Sequence, residues 1–323
     1  MLTMDPSAKM RFQRLLLRWF DANKRDLPWR KDADPYRVWL SEIMLQQTRV
    51  SAVLDHYRRF LERFPTVEHL ARARETSVLA AWSGLGYYRR ARMLHAAARD
   101  VVRNYRGKIP ASAVELRKLP GIGRYTAAAI ASIAFGEPAA VVDGNVERVL
   151  QRLHGKGLDG ETLWQAAQEL ITTPRPGDHN QALMELGATI CLPKAPKCSL
   201  CPILPLCATQ GERDPVRTKT PQKKRTISYV LDGRNGTILL NRRSPTETLM
   251  PGMWELPHGG EPNGVPPLFT VRHSITVTDY RVHVVPGPAP TKSPNSRWVR
   301  HEQLVNLPLT GLTRKILRAA KVI

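Results

Sequence analysis

The stretch Leu119-Pro-Gly-Ile-Gly-Arg-Tyr-Thr126 decides the fold of the N-terminal part of the chain. Two glycines bracket one apolar residue and the apolar segment 127–135 follows at once, which predicts a tight turn that opens a helix. Glycines let the backbone approach a ligand, and the N–H groups of a helix N-terminus attract anions. Gly121 and Gly123 are therefore candidates to bind a DNA phosphate, although a G-x-G turn alone is more often a plain connection.

The charge balance of the whole chain favours the phosphate interpretation. The 323 residues include 49 Lys and Arg against 28 Asp and Glu, which leaves a formal net charge of +21 and points to a polyanionic partner. Hydrophobic residues make up 42% and charged residues 24%, which is ordinary globular usage and excludes a disordered chain. The length predicts two domains.

Apolar spacing separates an all-α part from an α+β part. Apolar residues recur three or four apart and are separated by proline-containing breakers, which predicts a helical domain over 1–210. A segment rich in Lys, Arg and Pro at 211–225 is interpreted as a basic linker. After it, two strand-like runs around the turn Gly233-Arg-Asn-Gly236 predict a β-hairpin, and a helix over about 310–320 ends a small α+β domain over 226–323.

No segment predicts a membrane span or a secretion signal. The longest apolar stretch, 127–142, is interrupted by Gly136, Glu137 and Pro138 and is shorter than a spanning helix. Charges stand where a signal peptide would carry its apolar region. We therefore expect a cytoplasmic protein with no membrane partner.

Four cysteines fall between residues 191 and 207 with the spacing C-x6-C-x2-C-x5-C, as Cys191, Cys198, Cys201 and Cys207. A disulfide framework is typical of small secreted domains and does not suit this chain. Four thiolates from one loop bind either structural zinc or an iron–sulfur cluster. Zinc ribbons usually carry two C-x2-C knuckles and here there is one, but the spacing alone leaves both metals open.

Several long motifs resemble the helix-hairpin-helix DNA glycosylases, and within them the MutY-type adenine DNA glycosylases. Besides LPGIGRYTA and the cysteine loop, they are LPWR at 27–30, WLSEIMLQQT at 39–48, GLGYYRRAR at 84–92 and VVDGNVER at 141–148. The resemblance covers nearly all of residues 10–210. It implies a monomeric, nucleoid-associated enzyme that removes adenine mispaired with 8-oxoguanine or guanine from double-stranded DNA. It also favours a four-iron four-sulfur (4Fe-4S) cluster on the four cysteines.

The resemblance assigns two carboxyl groups to the chemistry. Glu42 would protonate N7 of adenine, and Asp143 would stabilise the oxocarbenium-like sugar in its ionised form. Because Glu42 lies in an apolar helix segment, desolvation is expected to raise its pKa. Asp143 precedes a predicted helix, with Asn145 and Tyr125 as its expected hydrogen-bond partners. Each residue alone would be interpreted as a surface glutamate or an N-cap aspartate.

The residue after Gly-x-Gly-Arg distinguishes two kinds of glycosylase. The endonuclease III group, glycosylase-lyases of oxidised pyrimidines, carries a lysine there, whose amine can form a Schiff base and lead to strand cleavage. This chain has Tyr125, which predicts base removal alone. A non-catalytic iron–sulfur DNA-binding protein is a second alternative, and the presence of both Glu42 and Asp143 argues against it.

The resemblance also assigns residues to base extrusion and to the adenine pocket. Gln47 and Tyr87 would fill the gap that the extruded nucleotide leaves, with Thr48 beside them. Without the resemblance, core packing of Tyr87 and solvent exposure of Gln47 would be the better interpretations. The adenine pocket would be lined by Trp29, Arg30 and Glu185.

The C-terminal residues resemble, more weakly, the MutT/Nudix-like domain that reads the base opposite adenine. The motif GMWELP at 252–257 carries this resemblance, whereas the acidic helix of active Nudix hydrolases is missing, so pyrophosphohydrolase activity is not expected. The family's Phe-Ser/Thr-His tripeptide is Ile275-Thr276-Val277 here. Thr276 retains a hydroxyl group, but we expect a weaker preference for 8-oxoguanine over guanine.

Overall fold

The computed structural model describes residues 4–212, 223–259, 266–275, 277–289 and 295–323. The chain divides into two compact units. The first combines Met1–Arg49 with Ala97–Val216, and the second combines Val50–Ala96 with Arg217–Ile323. Most of the predicted linker 211–225 lies outside the described residues, and the domain boundaries at 210 and 226 stay predictions.

The N-terminal part is helical, and no strand falls between residues 4 and 212. The helices of the described residues are α1 (Pro6–Asn23), α2 (Pro35–Leu45), α3 (Val50–Arg63), α4 (Val67–Arg72), α5 (Glu75–Trp82), α6 (Tyr88–Asn104), α7 (Ala113–Leu116), α8 (Arg124–Phe135), α9 (Gly144–His154), α10 (Gly160–Leu170), α11 (Pro176–Thr189) and α12 (Gly311–Ala319). None of them is long and apolar enough to cross a membrane.

The core of the first unit forms between α1 and the helices α8 to α11. Phe12, Leu16 and Phe20 repeat at helical spacing along α1 and are fully buried in it. Helix α11 packs closely because it carries glycine at two crossings. A Cβ on Gly177 would lie 2.7 Å from the Ile133 Cα in α8, and a Cβ on Gly187 would lie 2.6 Å from the Asn145 Cβ in α9.

The C-terminal residues form a small sheet domain. Its strands are β1 (Lys223–Leu231), β2 (Gly233–Arg234), β3 (Thr237–Arg242), β4 (Trp254–Glu255), β5 (His258–Gly259), β6 (Phe269–Ile275), β7 (Thr278–Pro286) and β8 (Ser296–Arg300). One sheet has the order β5-β1-β7-β6, and in the other β3 pairs with β2, β4 and β8. The helix predicted over about 310–320 is α12, which starts after the N-cap Thr310 and packs Leu312 and Ile316 into the domain core.

The predicted hairpin is wrong in its pairing. The turn at Asn235-Gly236 joins β2 to β3, whereas β1 pairs in parallel with β7 over its whole length, from Lys223 with Thr278 to Leu231 with Pro286. A nine-residue strand between two neighbours satisfies far more backbone groups than a short hairpin would.

Candidate active site

Glu42 is a buried carboxyl group at the centre of α2. Asp34 caps this helix and Pro35 begins it, and the continuous run from Val38 to Met44 is buried. The Tyr125 hydroxyl donates a 2.8 Å hydrogen bond to Oε2 of Glu42. Burial raises the pKa of Glu42 to about 7, the Tyr125 hydrogen bond opposes the rise, and the charge of Asp143 adds to it. The group therefore keeps its proton close to neutral pH.

Asp143 is the N-cap of α9. Its Oδ1 accepts from the backbone N–H of Asn145 at 2.9 Å and of Val146 at 2.7 Å, and its Oδ2 accepts from Nδ2 of Asn145 at 3.0 Å. The Asn145 amide is fixed in turn by Arg148, whose Nη2 donates to Asn145 Oδ1 at 2.8 Å. Three donors and the positive end of a helix dipole therefore face this carboxylate.

The hydrogen-bond partner of Tyr125 is not Asp143, the partner predicted from the sequence. The Tyr125 hydroxyl donates instead to Glu42, and it also lies 3.1 Å from the sulfur of Met184. Burial, together with the charges of Glu42 and Asp143, raises the pKa of Tyr125 well above its usual value. The phenol therefore remains a hydrogen-bond donor throughout the physiological pH range.

A second buried carboxyl group, that of Glu185 on α11, forms ion pairs with two arginines. Its side chain is 1% exposed and accepts from Arg25 Nε at 2.6 Å and from Arg30 Nη2 at 2.9 Å. Burial works to raise the pKa of Glu185, but the hydrogen bonds from Arg25 and Arg30 outweigh it, so the pKa is lowered. Trp29 is buried beside Arg30 in a 3-10 turn at Pro28–Arg30.

The candidate extrusion residues are Gln47 and Thr48 in the first unit and Tyr87 in the second. Gln47 and Tyr87 are exposed and hold left-handed backbone conformations, with φ of 53° and 48°. Few residues other than glycine adopt this conformation, and it concentrates at functional positions. Thr48 donates to the backbone oxygen of Gln46 at 3.1 Å.

The predicted hairpin turn lies between α7 and α8. Gly121 has a φ of 76°, which glycine alone adopts without strain, while Ile122 is buried. Gly123 is the N-cap of α8, with φ of −85°, and has no side chain that could cap the helix. A Cβ built on Gly123 would meet no atom within 4 Å. The first N–H groups of α8 thus lack a side-chain cap, and no neighbouring atom would clash with a side chain at position 123.

The four cysteines follow α11 and carry free thiols. Burial, together with the nearby Cys191, Cys207 and Cys198, raises the pKa of Cys201 to about 11, so each of the other three thiols lies within electrostatic reach of Cys201. In the described residues no three side chains are grouped as ligands of a single ion. A cubane cluster instead takes four separate thiolates, which is the donor set present.

Sequence reasoning missed the arginines that support these groups. Arg25 binds Glu185 across 160 positions of sequence. Arg152, 4% exposed, donates to the Cys191 sulfur at 3.3 Å and to the backbone oxygen of Leu192 at 2.7 Å. Burial of a glutamate is itself the available signal for Arg25, because such a group needs a cation nearby. The remaining candidate, Thr276, lies outside the described residues.

Known proteins share the helical fold of part of this chain. The model of the HhH-GPD superfamily of base excision DNA repair proteins matches residues 40–171. A solved thermostable thymine-DNA glycosylase has a TM-score of 0.60 at 32% identity and covers 63% of this chain and 97% of its own. An endonuclease III trapped as a covalent intermediate on DNA has a TM-score of 0.55 at 25% identity, with 64% and 98% covered.

Curated relatives are more specific. The adenine DNA glycosylase of Rattus norvegicus is 35% identical over 398 residues, which covers 95% of this chain and 77% of the rat protein. The human adenine DNA glycosylase is 49% identical over 211 residues, which covers 61% of this chain and 39% of its own. With the paired carboxyl groups, the hairpin and the helical fold in place, this chain belongs to the adenine DNA glycosylases of the HhH-GPD superfamily.

Proposed function

We propose that this chain acts as a monomeric DNA N-glycosylase of base excision repair that removes adenine mispaired with 8-oxoguanine or guanine. The observation that carries the proposal is the buried carboxyl group of Glu42, whose pKa of about 7 is set mainly by burial and is raised further by the nearby Asp143. Two carboxyl groups in different protonation states are what cleavage of a purine N-glycosidic bond needs.

In the reaction, Glu42 gives its proton to N7 of adenine while the bond between N9 and the sugar C1′ breaks. The bonding electrons pass to the purine ring, and positive charge develops on the sugar. Asp143 stabilises this charge, because three protein N–H groups hold its carboxylate in a fixed orientation. Water adds to C1′, its proton returns to the Glu42 carboxylate, and free adenine and an abasic site remain.

The Glu185 group would form the wall of the adenine pocket. Arg25 and Arg30 compensate the buried Glu185 carboxylate and leave a net charge of one positive unit, so the three side chains form a fixed polar surface beside Trp29. A polar surface of this kind can form hydrogen bonds with the extruded base.

The duplex would be bound through its phosphates and opened by two inserted side chains. The N–H groups at the start of α8, next to Gly121 and Gly123, suit a phosphate. Gln47, with Thr48 at its side, and Tyr87 would enter the stack where adenine leaves it, since both project from strained, exposed backbone.

The cysteines would hold a 4Fe-4S cluster. Cys191, Cys198, Cys201 and Cys207 supply four free thiols, and the cluster, when bound, would crosslink the loop that follows α11. The Arg152 guanidinium beside Cys191 would offset part of the negative charge of the thiolates.

The C-terminal sheet domain would act as a MutT/Nudix-like reader of the base opposite adenine. Of the altered tripeptide, Ile275 ends β6 and pairs with Thr278, and Val277 is 44% exposed just before β7. Thr276 would provide the remaining hydroxyl contact.

The alternative activity, a glycosylase-lyase of oxidised pyrimidines, lacks its amine here. The position is held by Tyr125, whose phenol is occupied by Glu42. A duplex panel separates the candidates. Duplexes with adenine opposite 8-oxoguanine or guanine, and duplexes with an oxidised pyrimidine, are incubated with the protein, and strand cleavage is measured with and without alkali.

We expect cleavage of the adenine-containing strand only after alkali. The Asp143→Asn variant should bind the same mispair within about tenfold of the wild-type affinity but remove little base, since a transition-state interaction is lost. Cleavage without alkali, or activity confined to oxidised pyrimidines, would refute the proposal.

A further inference from the structure

One buried backbone oxygen ties together both ends of the loop that carries Tyr87. The Ser83 hydroxyl donates to the Leu309 oxygen at 2.8 Å, and the Tyr88 hydroxyl donates to the same oxygen at 3.0 Å. Ser83 and Tyr88 are each 4% exposed and Leu309 is fully buried. Ser83 and Tyr88 flank the loop Gly84-Leu-Gly-Tyr87, and all these residues belong to the second unit.

The Leu309 oxygen is itself held by the strand of the GMWELP motif. Trp254 in β4 donates its N–H to the Pro308 oxygen at 2.9 Å and accepts from the Thr310 N–H at 2.9 Å. A further contact runs from Arg92 of α6 to the Pro251 oxygen at 2.6 Å. The sheet domain therefore fixes the acceptor on which the loop rests.

Arg314 on α12 completes the hydrogen bonding of Ser83. Its Nε donates to the Ser83 hydroxyl at 3.0 Å, so this hydroxyl accepts one bond and donates another. His56 of α3 reaches the backbone oxygen of Ser83 at 3.3 Å. A Cβ on Gly84 would lie 3.0 Å from the same imidazole, so the start of the loop packs closely against His56.

The loop needs this support because its backbone is strained. Gly84 and Gly86 have φ of 111° and 73°, and Tyr87 follows in the left-handed region with its side chain 52% exposed. Such a conformation at a tyrosine persists only when the surroundings impose it. Two residues that flank the loop also contact it. Trp82 Nε1 donates to the Gly86 oxygen at 3.0 Å, and the Arg90 guanidinium lies 4.8 Å from the Tyr87 ring.

We propose that Ser83, Tyr88 and Arg314 are positioning residues that hold Tyr87, through the Leu309 oxygen, in the conformation in which it enters the DNA stack. The proposal rests on the proposed function, since it takes Tyr87 as the side chain that replaces the extruded adenine. Holding the tyrosine beforehand reduces the ordering cost that would otherwise fall on the extrusion step.

The test uses the full-length protein and the Tyr88→Phe variant, which loses only the hydroxyl group. Base extrusion is followed by the fluorescence of 2-aminopurine placed opposite 8-oxoguanine, and excision by single-turnover rates on the adenine duplex. We expect both to fall about three- to tenfold, the size of one hydrogen bond, while the melting temperature changes little. Ser83→Ala, which removes the other hydroxyl group, should act in the same direction and is measured in parallel.

A double-mutant cycle with Tyr87→Ala separates positioning from general destabilisation. If Tyr88 acts through Tyr87, the Tyr87→Ala/Tyr88→Phe protein should extrude no less than Tyr87→Ala alone. Tyr229→Phe is the matched control, because that buried hydroxyl donates to Glu255 at 3.3 Å rather than to the loop, and extrusion should be unchanged.

Additive losses in the cycle, or normal extrusion in both Tyr88→Phe and Ser83→Ala, would overturn the positioning role. A failure of the proposed function looks different, since the wild-type protein itself would then leave adenine in place.

Discussion

The residues around Glu42 set the pKa on which its role as an acid depends. An ordinary glutamate would be ionised at neutral pH, but burial in α2 raises the pKa of Glu42 to about 7. Of the three groups that modulate this rise, Asp143 supports it, whereas Tyr125 and Arg30 oppose it. Removal of either opposing group should therefore raise the pKa further.

The Tyr125→Phe variant tests this sign. The phenol stabilises the ionised form of Glu42, so its loss should raise the pKa of that carboxyl above about 7 and preserve the acid to higher pH. The alkaline limb of the excision profile should then shift to higher pH. Single-turnover rates across the neutral and mildly alkaline range measure the shift, and an unchanged or lower limb would contradict it.

Replacement of the acid itself should remove most of the activity. Glu42→Gln retains the size of the side chain but cannot donate the same proton, so excision should fall about 10²- to 10⁴-fold. Glu62→Gln, at an exposed position on α3, is the control and should excise normally. Equal rates for wild type and Glu42→Gln would remove Glu42 from the mechanism.

The residues also show which contacts a sequence can predict. Apolar neighbours along one helix were sufficient to predict that Glu42 is desolvated, because burial follows from the local pattern. The predicted hydrogen-bond partner of Tyr125 was wrong, because the choice between Glu42 and Asp143 depends on how α2, α8 and α9 pack. Arg25 was missed because Glu185 is 160 positions away.

At the scale of elements, the turn between α7 and α8 separates a structural glycine from a binding glycine. Gly121→Ala forces a side chain into a left-handed conformation and should cost about 1–2 kcal/mol of folding free energy. Gly123→Ala meets open space at ordinary φ and should cost less, about 0.5–1 kcal/mol, because alanine is a poorer N-cap residue than glycine. Thermal unfolding should therefore distinguish the two variants.

DNA affinity should rank the same variants differently. A methyl group at position 123 stands where a phosphate would approach the start of α8, so Gly123→Ala should weaken duplex binding while its melting temperature stays near that of the wild type. Normal binding by Gly123→Ala would mean that the phosphate lies elsewhere.

The cysteine loop is the element with the sharpest chemical prediction. Purified protein should be brown and hold about four irons per chain, as a 4Fe-4S cluster requires. Cys198→Ser should lose iron and DNA binding together. Stoichiometric zinc without iron in protein prepared without oxygen would refute the cluster, and normal mispair binding by Cys198→Ser would refute its structural role.

The sequence predicts individual turns and strands, but it does not predict which strands pair. The turn at Asn235-Gly236 was recognisable from its residues, and the structure has it between β2 and β3. The pairing of β1 with β7 could not be recognised in this way. Strand β7 begins more than forty positions after β1 ends, and no local pattern encodes that register.

At the scale of the whole molecule, the second unit combines Val50–Ala96 with the C-terminal residues. Composition predicts a boundary near the basic segment 211–225, but nothing local indicates that α3 to α5 belong with a sheet domain. The contacts that join them, such as Ser83 with Leu309, span 226 positions. Long-range partners of this kind require coordinates.

The last prediction concerns the choice of opposite base, which depends on the sheet domain. Val277 is 44% exposed and its backbone oxygen already accepts from the Lys223 N–H at 2.8 Å, so Val277→His should leave the fold intact. The imidazole adds a hydrogen-bonding group at the altered tripeptide, and one such bond nets about 0.5–1.5 kcal/mol. The preference for adenine:8-oxoguanine over adenine:guanine should therefore widen about fivefold in competitive excision. Val305→His, at a 64% exposed valine of the same unit, controls for added histidine and should leave the ratio unchanged. An equal change in both variants, or none in Val277→His, would mean that this turn does not read the opposite base.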